Sequence, residues 1–343
     1  GGGASGLQAA LVVASSGARV IIADEQSELG GWLLTDKNFN IDQKPAMDWA
    51  SNVIKKLHSM PNVSCLVRTT VAATMDDNFI LMAERVTEHL SIKEAHLPKQ
   101  RLWKVRAAKV ILATGAIERP LIFSGNDLPG IMLSSAARSY IFRYDVLAGT
   151  RTIIFTNNDD AYHTALAIHQ AGGFVRCVVD LRDNPKSQII TTLRKLGIDI
   201  RTGHAVIAAH GIRHIASVDI AKYDTEKGAP TSDAVHMDCN FLAVSGGLNP
   251  VVHLHSQRKG RLIWDDRTSC YRPENKSDEW VSIGSANGTF QLGRALSEAT
   301  RVASSVMTKL AKENKRILLK EPVGIPQTEE NKQNWAPLPV WLV

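Results

Sequence analysis

The feature that most restricts the fold of this chain is a glycine spacing at its start, Gly1-x-Gly3-x-x-Gly6, followed by an apolar stretch with no charge before Arg19. Each glycine position has its own reason to lack a Cβ. The first permits a tight turn, the second lets a pyrophosphate approach the backbone, and the third lets the next helix pack close to its strand. The spacing predicts that helix over about residues 5–16, its free N–H groups and positive dipole end directed at the turn. Gly17 would stop it as a left-handed cap. Residues 19–23 (RVIIA) read as a strand covered on both faces of a parallel sheet. Asp24 ends that strand, roughly 20 residues past the turn, where this fold places an acid for the adenosine ribose hydroxyls. An acid there favours NAD or FAD over NADP, whose 2′-phosphate it would repel. Gly30 and Gly31 complete the pattern. The strand expected ahead of Gly1 is not in the sequence, so the chain reads as an internal fragment.

Composition narrows the class of protein. At 343 residues the chain can bury two cores, and 44% hydrophobic with 22% charged residues is globular composition. The formal charge of +6 and pI near 9.1 come from scattered Lys and Arg, without a run that would serve as a nucleic-acid arm. Cys65, Cys177, Cys239 and Cys270 are far apart and form no C-x-x-C. That excludes a redox dithiol, a zinc ribbon or a local iron–sulfur loop, and leaves buried free thiols in a reducing compartment. No apolar run reaches membrane-spanning length. Neither a nucleic acid nor a membrane is an expected partner, and a cytoplasmic location follows.

After Gly31, IDQKPAMDWASNVIKKLHSM reads as an amphipathic helix with Asp42 as N-cap, Pro45 in the first turn, and Met47, Val53, Ile54 and Leu57 on one side. Residues 63–71, a turn at Asp76-Asp77-Asn78, residues 79–86 and residues 101–105 form an expected antiparallel meander inserted in the first domain. In flavoprotein-like folds a strand here passes the adenine, which makes Val71 a candidate backbone contact. Residues 109–115 (KVILATG) read as a buried parallel strand ending in a small-residue turn, Thr114-Gly115, of the kind that closes over a dinucleotide. Arg119, just beyond, would pair with a phosphate or, in preference, an internal carboxylate.

Thr150 begins a second strand–turn–helix–strand unit, but its turn reads Thr156-Asn157-Asn158-Asp159-Asp160, with no glycine. Two carboxylates there would repel pyrophosphate while capping the helix, so this half is expected to have lost its ligand. Residues 241–244 would then return the chain to the first domain. VSIGSANGTFQLGRALSEATRVASSVMTKLA supplies a closing strand, a glycine turn and a long helix. Flavin-binding folds carry a Gly-Asp in this turn to hold the ribityl chain; here Gly284 is followed by Ser285, which weakens a flavin reading. His253 and His255 have no carboxylate or cysteine at ligand spacing and read as structural. No catalytic and no metal-ligating residue is expected in this chain. The proline-rich tail beyond Lys320 reads as a connector to a further domain.

Taken together, RTTVAATMDDNFILMAERVTEHL, QRLWKVRAAKVILATGAIERPLIFSGNDLPGIMLSSAARSYIFRYDV, TNNDDAYHTALA and LAVSGGLNPVVHLHSQRKGRLIWD resemble the alpha subunit of heterotetrameric sarcosine oxidase, almost end to end. The resemblance implies an α/β fold of two Rossmann-like dinucleotide-binding domains, disulfide-reductase/flavoprotein-like, with the second inserted in the first. The expected boundaries are 1–147 and 239–312 for the first domain, with 36–105 as its insertion, 148–238 for the degenerate second, and 313–343 for the connector. In that family the alpha subunit holds NAD, a beta subunit carries FAD, FMN lies between them, and two small subunits complete the heterotetramer. Sarcosine is demethylated with oxygen as acceptor, and a C-terminal domain of alpha passes the one-carbon unit to tetrahydrofolate. Carried over by position, the resemblance implies NAD contacts at Ser5, at Asp24, Glu25 and Gln26, at Trp32 and Val71, and at Ser285, Phe290 and Leu292. Ser5 and Trp32 depart from the family pattern, so backbone contacts are expected there. A related amine, opine or proline dehydrogenase subunit shares the architecture. A free-standing NAD(P)H-dependent flavin oxidoreductase would need an intact second glycine turn and a C-x-x-C or flavin Gly-Asp, all missing here. A scaffold whose nucleotide only stabilises the fold is also compatible with these residues.

Overall fold

The computed structural model describes residues 1–35, 37, 39–92, 96–277, 279–313, 323–328 and 336–343. The chain packs as two compact units. One comprises Gly1–Ala116, Pro250–Trp264 and Tyr271–Glu330; the other comprises Ile117–Asn249, Asp265–Cys270 and Asn331–Val343.

In the first unit α1 (Ala4–Ser15) follows the glycine turn at once and has no charged residue in its end turns. It is apolar nearly all round, as a helix buried on several sides must be. Leu7, Leu11 and Ala14 pack with Ile22, Leu29, Val53, Leu57 and Leu296, whereas Ala9 and Val12 pack with Ile283, Ala299 and Val302. β1 (Val20–Ala23) pairs in parallel with β2 (Val63–Leu66), and α2 (Ala46–Ser59) makes the crossover, burying Ala46, Ala50, Val53 and Leu57. Ile21 is 40% exposed, so β1 is not covered on both faces as its sequence suggested. Asp42 does not cap α2. It sits at φ 51 in a short hairpin, Asn40–Ile41 against Lys44–Pro45, where its N–H and carboxylate are both engaged by Gln327, at 2.7 and 2.8 Å.

Residues 63–66 belong to the parallel pair and not to the meander, because Arg68, at φ 51, breaks the strand. The meander is β3 (Thr69–Met75), β4 (Phe79–Arg85) and β5 (Gln100–Arg106). Asp77 and Asn78 turn between the first two at positive φ, a conformation short polar side chains tolerate. β6 (Val110–Leu112) follows.

The second unit is built on an open parallel sheet. Its elements in order are β7 (Ile131–Leu133), α3 (Ser134–Tyr144), β8 (Arg151–Thr156), α4 (Asp160–Gln170), β9 (Phe174–Asp180), α5 (Gln188–Lys195) and β10 (Asp199–Thr202). An antiparallel layer of β11 (His204–Gly211), β12 (Ile215–Asp224) and β13 (Val235–Asp238) comes next, then β14 (Phe241–Ser245). The parallel sheet has the order β7-β14-β8-β9-β10. β14, expected to lead back to the first domain, therefore lies in this sheet, and it draws β7 and α3 in with it. The boundary expected at 147/148 falls at 116/117 for this reason. One sheet face packs on α3, α4 and α5; the other packs on β11, β12, β13 and the partly buried tail residues Leu338, Val340, Trp341 and Val343.

The chain returns to the first unit with α6 (His253–Gln257), β15 (Trp280–Ser282), which pairs in parallel with β6, and α7 (Leu292–Glu313). The expected connector 313–343 is described at 323–328 and 336–343; residues 314–322 and 329–335 of that reading lie outside the described residues. Where it is described it is packed and not a free linker: Val323 lies against the first unit's core, and residues 336–343 are held in the second. Among the described residues no helix is long and apolar enough to cross a membrane.

Candidate functional site

Close backbone approaches that exclude side chains build the turn ahead of α1. A Cβ on Gly6 would overlap the Gly1 carbonyl, and one on Gly1 would overlap the carbonyl of Ala113, just past β6. Gly31, at φ 56, brings its backbone onto Gly3, so that a Cβ there would lie 2.8 Å from the Gly3 Cα. Gly3 itself meets nothing nearer than 3.9 Å, which leaves the space a pyrophosphate needs. α1 starts from extended Gly3 with no side-chain cap and no acid in its first turn. Its positive end is therefore not compensated locally.

Asp24 closes this arrangement. Its Oδ2 accepts from Gly2 N–H at 2.6 Å and its Oδ1 from Gln26 N–H at 2.8 Å, and Gly30 N–H donates to the Gly2 carbonyl at 2.8 Å. The acid thus fixes the glycine turn to the end of β1. A carboxylate has about four acceptor positions, so each oxygen retains capacity for a hydroxyl. Beside it, Glu25, Gln26, Ser27, Arg68, Thr70 and Arg85 line an open pocket of about 450 Å³. Arg85 donates to the Glu25 carbonyl at 3.1 Å, and Arg68 N–H to the Gln26 carbonyl at 2.7 Å. Arg68, Thr70 and Arg85 were not legible as site residues, because the sequence ran one strand through 63–71 and hid the break that turns Arg68 toward the pocket.

Ser5 touches the closing turn: a Cβ on Gly284 (φ 62) would overlap Ser5 Oγ, which donates to the Ala295 carbonyl at 3.5 Å. Ser285 lies in the 3-10 turn Gly284–Asn287. Glu298 of α7 secures that turn, accepting from Gly284 N–H at 2.8 Å and from Asn287 Nδ2 at 2.6 Å. Sequence reading missed Glu298; its signal was an acid one to two turns into the helix that follows a glycine turn. Thr114 Oγ1 donates to the Val251 carbonyl at 2.6 Å, and the Gly115 carbonyl accepts Val251 N–H at 2.9 Å, so this turn is fastened internally. Trp32 is 40% exposed on the 3-10 turn Gly31–Thr35. Val71 is half-buried opposite Met82, beside a register shift. Phe290 is half-buried before α7, and Leu292 packs into the cluster of Leu7, Leu11 and Leu296. His255 is buried, with Nε2 on the Arg261 carbonyl at 3.1 Å.

The equivalent crevice of the second unit is locked from within. Asp180 ends β9 as Asp24 ends β1, but Arg182 binds both its oxygens, at 3.1 and 2.8 Å, and the Tyr162 hydroxyl donates to it at 2.5 Å. Burial and the Asp180 charge hold the Tyr162 hydroxyl well above its usual range. The expected repulsion by Asp159 and Asp160 is not what closes the site. Asp159 pairs with Arg182 at 2.7 Å and Asp160 with Arg138, so both charges are compensated. Nor does Asp159 cap α4; Asn158 Oδ1 accepts Asp160 N–H at 3.0 Å instead. The chain's own tail crosses the ends of β8 and β14, the switch point where such sheets bind ligands. Asn157 Nδ2 donates to the Leu338 and Val340 carbonyls at 2.8 and 3.2 Å, and Trp341 Nε1 to the Gly246 carbonyl at 2.7 Å.

Buried Glu118 and half-buried Arg119 flank this crevice. Among the described residues Arg119 meets no carboxylate, contrary to its sequence reading. It donates to the Ser269 carbonyl at 2.8 Å with its guanidinium 4.2 Å from the Trp341 ring centre, and burial lowers its pKa to about 10. Glu118 accepts Ser135 N–H at 2.7 Å; burial first, then the Asp160 charge, pushes its pKa up to about 7.

The NAD(P)-binding Rossmann-like domain family matches residues 1–70. The alpha subunit of sarcosine oxidase from Corynebacterium sp. (strain P-1) is 35% identical over 348 residues, a match that takes in all of this chain and 34% of that protein. The alpha subunit of sarcosine oxidase from Rhizobium meliloti (strain 1021) is also 35% identical, over all of this chain and 33% of its own length. Among solved structures, thioredoxin reductase of T. acidophilum superposes with a TM-score of 0.68 at 16% identity, covering 90% of this chain and 96% of that one. The fold is thus an α/β pair of Rossmann-like units of the flavoprotein type. The chain spans about a third of the length of the curated relatives it matches. Along its entire length the chain is similar to the alpha subunit of sarcosine oxidase.

Proposed function

We propose that this chain is the NAD-holding part of the alpha subunit of a multi-flavin sarcosine oxidase. The observation that supports this best is the contrast between the units: one keeps an open glycine turn, an uncompensated helix end and an acid with spare acceptor capacity, while the other has each equivalent feature tied up. Gly1, Gly3, Gly6 and the first N–H groups of α1 would hold the pyrophosphate, and Asp24 the ribose hydroxyls. Glu25, Gln26, Arg68, Thr70 and Arg85 would face the adenosine side. Trp32, Val71, Thr114, Gly115, Gly31, Gly284, Ser285, Phe290 and Leu292 complete the proposed contact set. Bound NAD can accept a hydride, but this reading gives it a structural role.

The amine chemistry is assigned to partners: FAD on a beta subunit, FMN at the interface, two small subunits, and tetrahydrofolate in a further alpha domain. Sarcosine loses two electrons and two protons, one hydrogen from its N-methyl carbon and one from its nitrogen, oxygen takes them up to become hydrogen peroxide, and glycine is released while the one-carbon unit passes to the folate. Such electron transfer needs a cofactor at the substrate, and the locked second crevice offers none. A cytoplasmic location belongs to the same reading. Acid denaturation of the purified complex, with mass spectrometry of the released cofactors, tests it. NAD in amounts matching the alpha subunit supports it; FAD without NAD from isolated alpha subunit refutes it. Oxygen uptake with sarcosine by purified alpha without beta would refute the division of labour.

A further inference from the structure

We propose that His210, Asp219 and His236 form a binding site for a divalent transition-metal ion, with Zn²⁺ the best match. The three residues stand on three adjacent antiparallel strands, β11, β12 and β13. Asp219 lies directly opposite His236 in the β12–β13 register, and diagonally from His210 across β11–β12, where Ala208 faces Asp219 and His210 faces Ser217. All three are on the outward face, since their neighbours Ala209, Val218, Ile220 and Met237 are buried beneath the sheet. A register shift immediately after His210 re-aims that side chain, as bulges do.

The imidazoles converge on one carboxylate from opposite sides. His210 Nε2 lies 2.7 Å from Asp219 Oδ2, and His236 Nδ1 lies 2.8 Å from Asp219 Oδ1. The candidate ligand atoms are all within 4.8 Å of one another, whereas the ring centres stay 5.7 Å apart, so the rings meet at the acid and do not stack. An exposed sheet face often carries an ion pair, but one histidine is enough for that. Two histidines, from strands on either side and using different ring nitrogens, reproduce the donor set of an N₂O metal site.

Zinc bonds of about 2.0–2.1 Å at tetrahedral angles place ligand atoms about 3.3 Å apart, so each histidine nitrogen must retreat by about 0.5 Å from its present hydrogen bond, and ligand atoms now up to 4.8 Å apart must close on one another. His210 and His236 are 48% and 60% exposed, and their rings can make that adjustment without moving the strands. The ion would take the place of the protons now shared with Asp219. Two imidazole nitrogens select against Ca²⁺ and Mg²⁺, which prefer oxygen. Three protein ligands leave the fourth position for water. The site would pin β13, four residues long, to β11 across β12.

The test is a Co²⁺ titration of the metal-stripped full-length protein, read by the visible absorption of four-coordinate cobalt, followed by displacement with Zn²⁺. The wild type is expected to show a cobalt band that Zn²⁺ abolishes. His210→Ala, His236→Ala and Asp219→Asn should each weaken the site by about tenfold or more through loss of one of three ligands, while His214→Ala, an exposed neighbour, leaves it unchanged. Amide exchange of the second unit, the same in wild type and variants without metal, shows that the fold is kept. Absence of the band in the wild type, or an unchanged band in the double His210→Ala/His236→Ala variant, overturns the proposal.

Discussion

Replacing Glu118 by Gln tests the electrostatics of the second unit quantitatively. Its pKa rises from an ordinary 4.5 to about 7 in the folded chain, first from burial and then from the Asp160 charge. The folded state therefore holds this proton more tightly than the unfolded state does. Stability from Glu118 is fully present below the unfolded pKa, falls as pH climbs toward the folded value, and is flat above it. A shift of that size corresponds to about 3 kcal/mol at 1.36 kcal/mol per pKa step. Gln keeps the oxygen that accepts Ser135 N–H and never ionises, so Glu118→Gln should match the wild type near about pH 4.5 and exceed its stability by about 3 kcal/mol near about pH 8. Native-state hydrogen exchange, read on peptides from β8 and α4 and corrected for intrinsic rates, measures the opening free energy of this unit. If wild type and variant differ by the same amount at both pH values, Glu118 is not a buried titrating group and the reasoning fails.

Asp24→Asn replaces the acceptor facing Gly2 N–H by an amide that can donate, and should lower NAD retention by about tenfold to a hundredfold, the loss of a charge-assisted bond of about 1.5–3 kcal/mol; NAD per chain after desalting reads it. Gly6→Ala forces a Cβ into the Gly1 carbonyl and should cost about 1–3 kcal/mol as overpacking, with loss of bound NAD, both visible in a thermal melt and a cofactor assay. Asn157→Ala removes two hydrogen bonds to the tail and should raise amide exchange at residues 338–343 before it affects β8. Trp341→Ala should not create a nucleotide site, because Arg182 and Tyr162 still occupy Asp180; nucleotide density in a crystal of that variant soaked with NADPH would contradict this.

What could be read from the chain follows from how local the determinants are. The glycine turn, α1, β1 and Asp24 lie within 24 consecutive residues, and local rules of turn, cap and period suffice for them. The strand break at Arg68 was not readable, because a positive φ at an arginine leaves no compositional mark. Asp159 and Asp160 read as repulsive charges, since their partners Arg182 and Arg138 are 22 or more positions away along the chain. The allocation of residues 117–147 to the second unit depended on β7 pairing with β14, a register set more than a hundred residues apart. His210, Asp219 and His236 form no spaced pattern at all and meet only through sheet register.

The tail laid over the ends of β8 and β14 also sets an order of events during synthesis. Residues 117–249 leave the ribosome first, at about 5–20 residues per second, with the apolar positions later covered by Leu338, Val340, Trp341 and Val343 still bare. For several seconds at that rate the nascent second unit presents an unsealed groove, with the Asn157 amide and the Gly246 carbonyl awaiting partners translated some ninety or more residues later. Completion of this unit is thereby deferred until the polypeptide has passed back through the first one, and early release of the chain would leave the apolar positions of that groove as a sticky, chaperone-accessible surface.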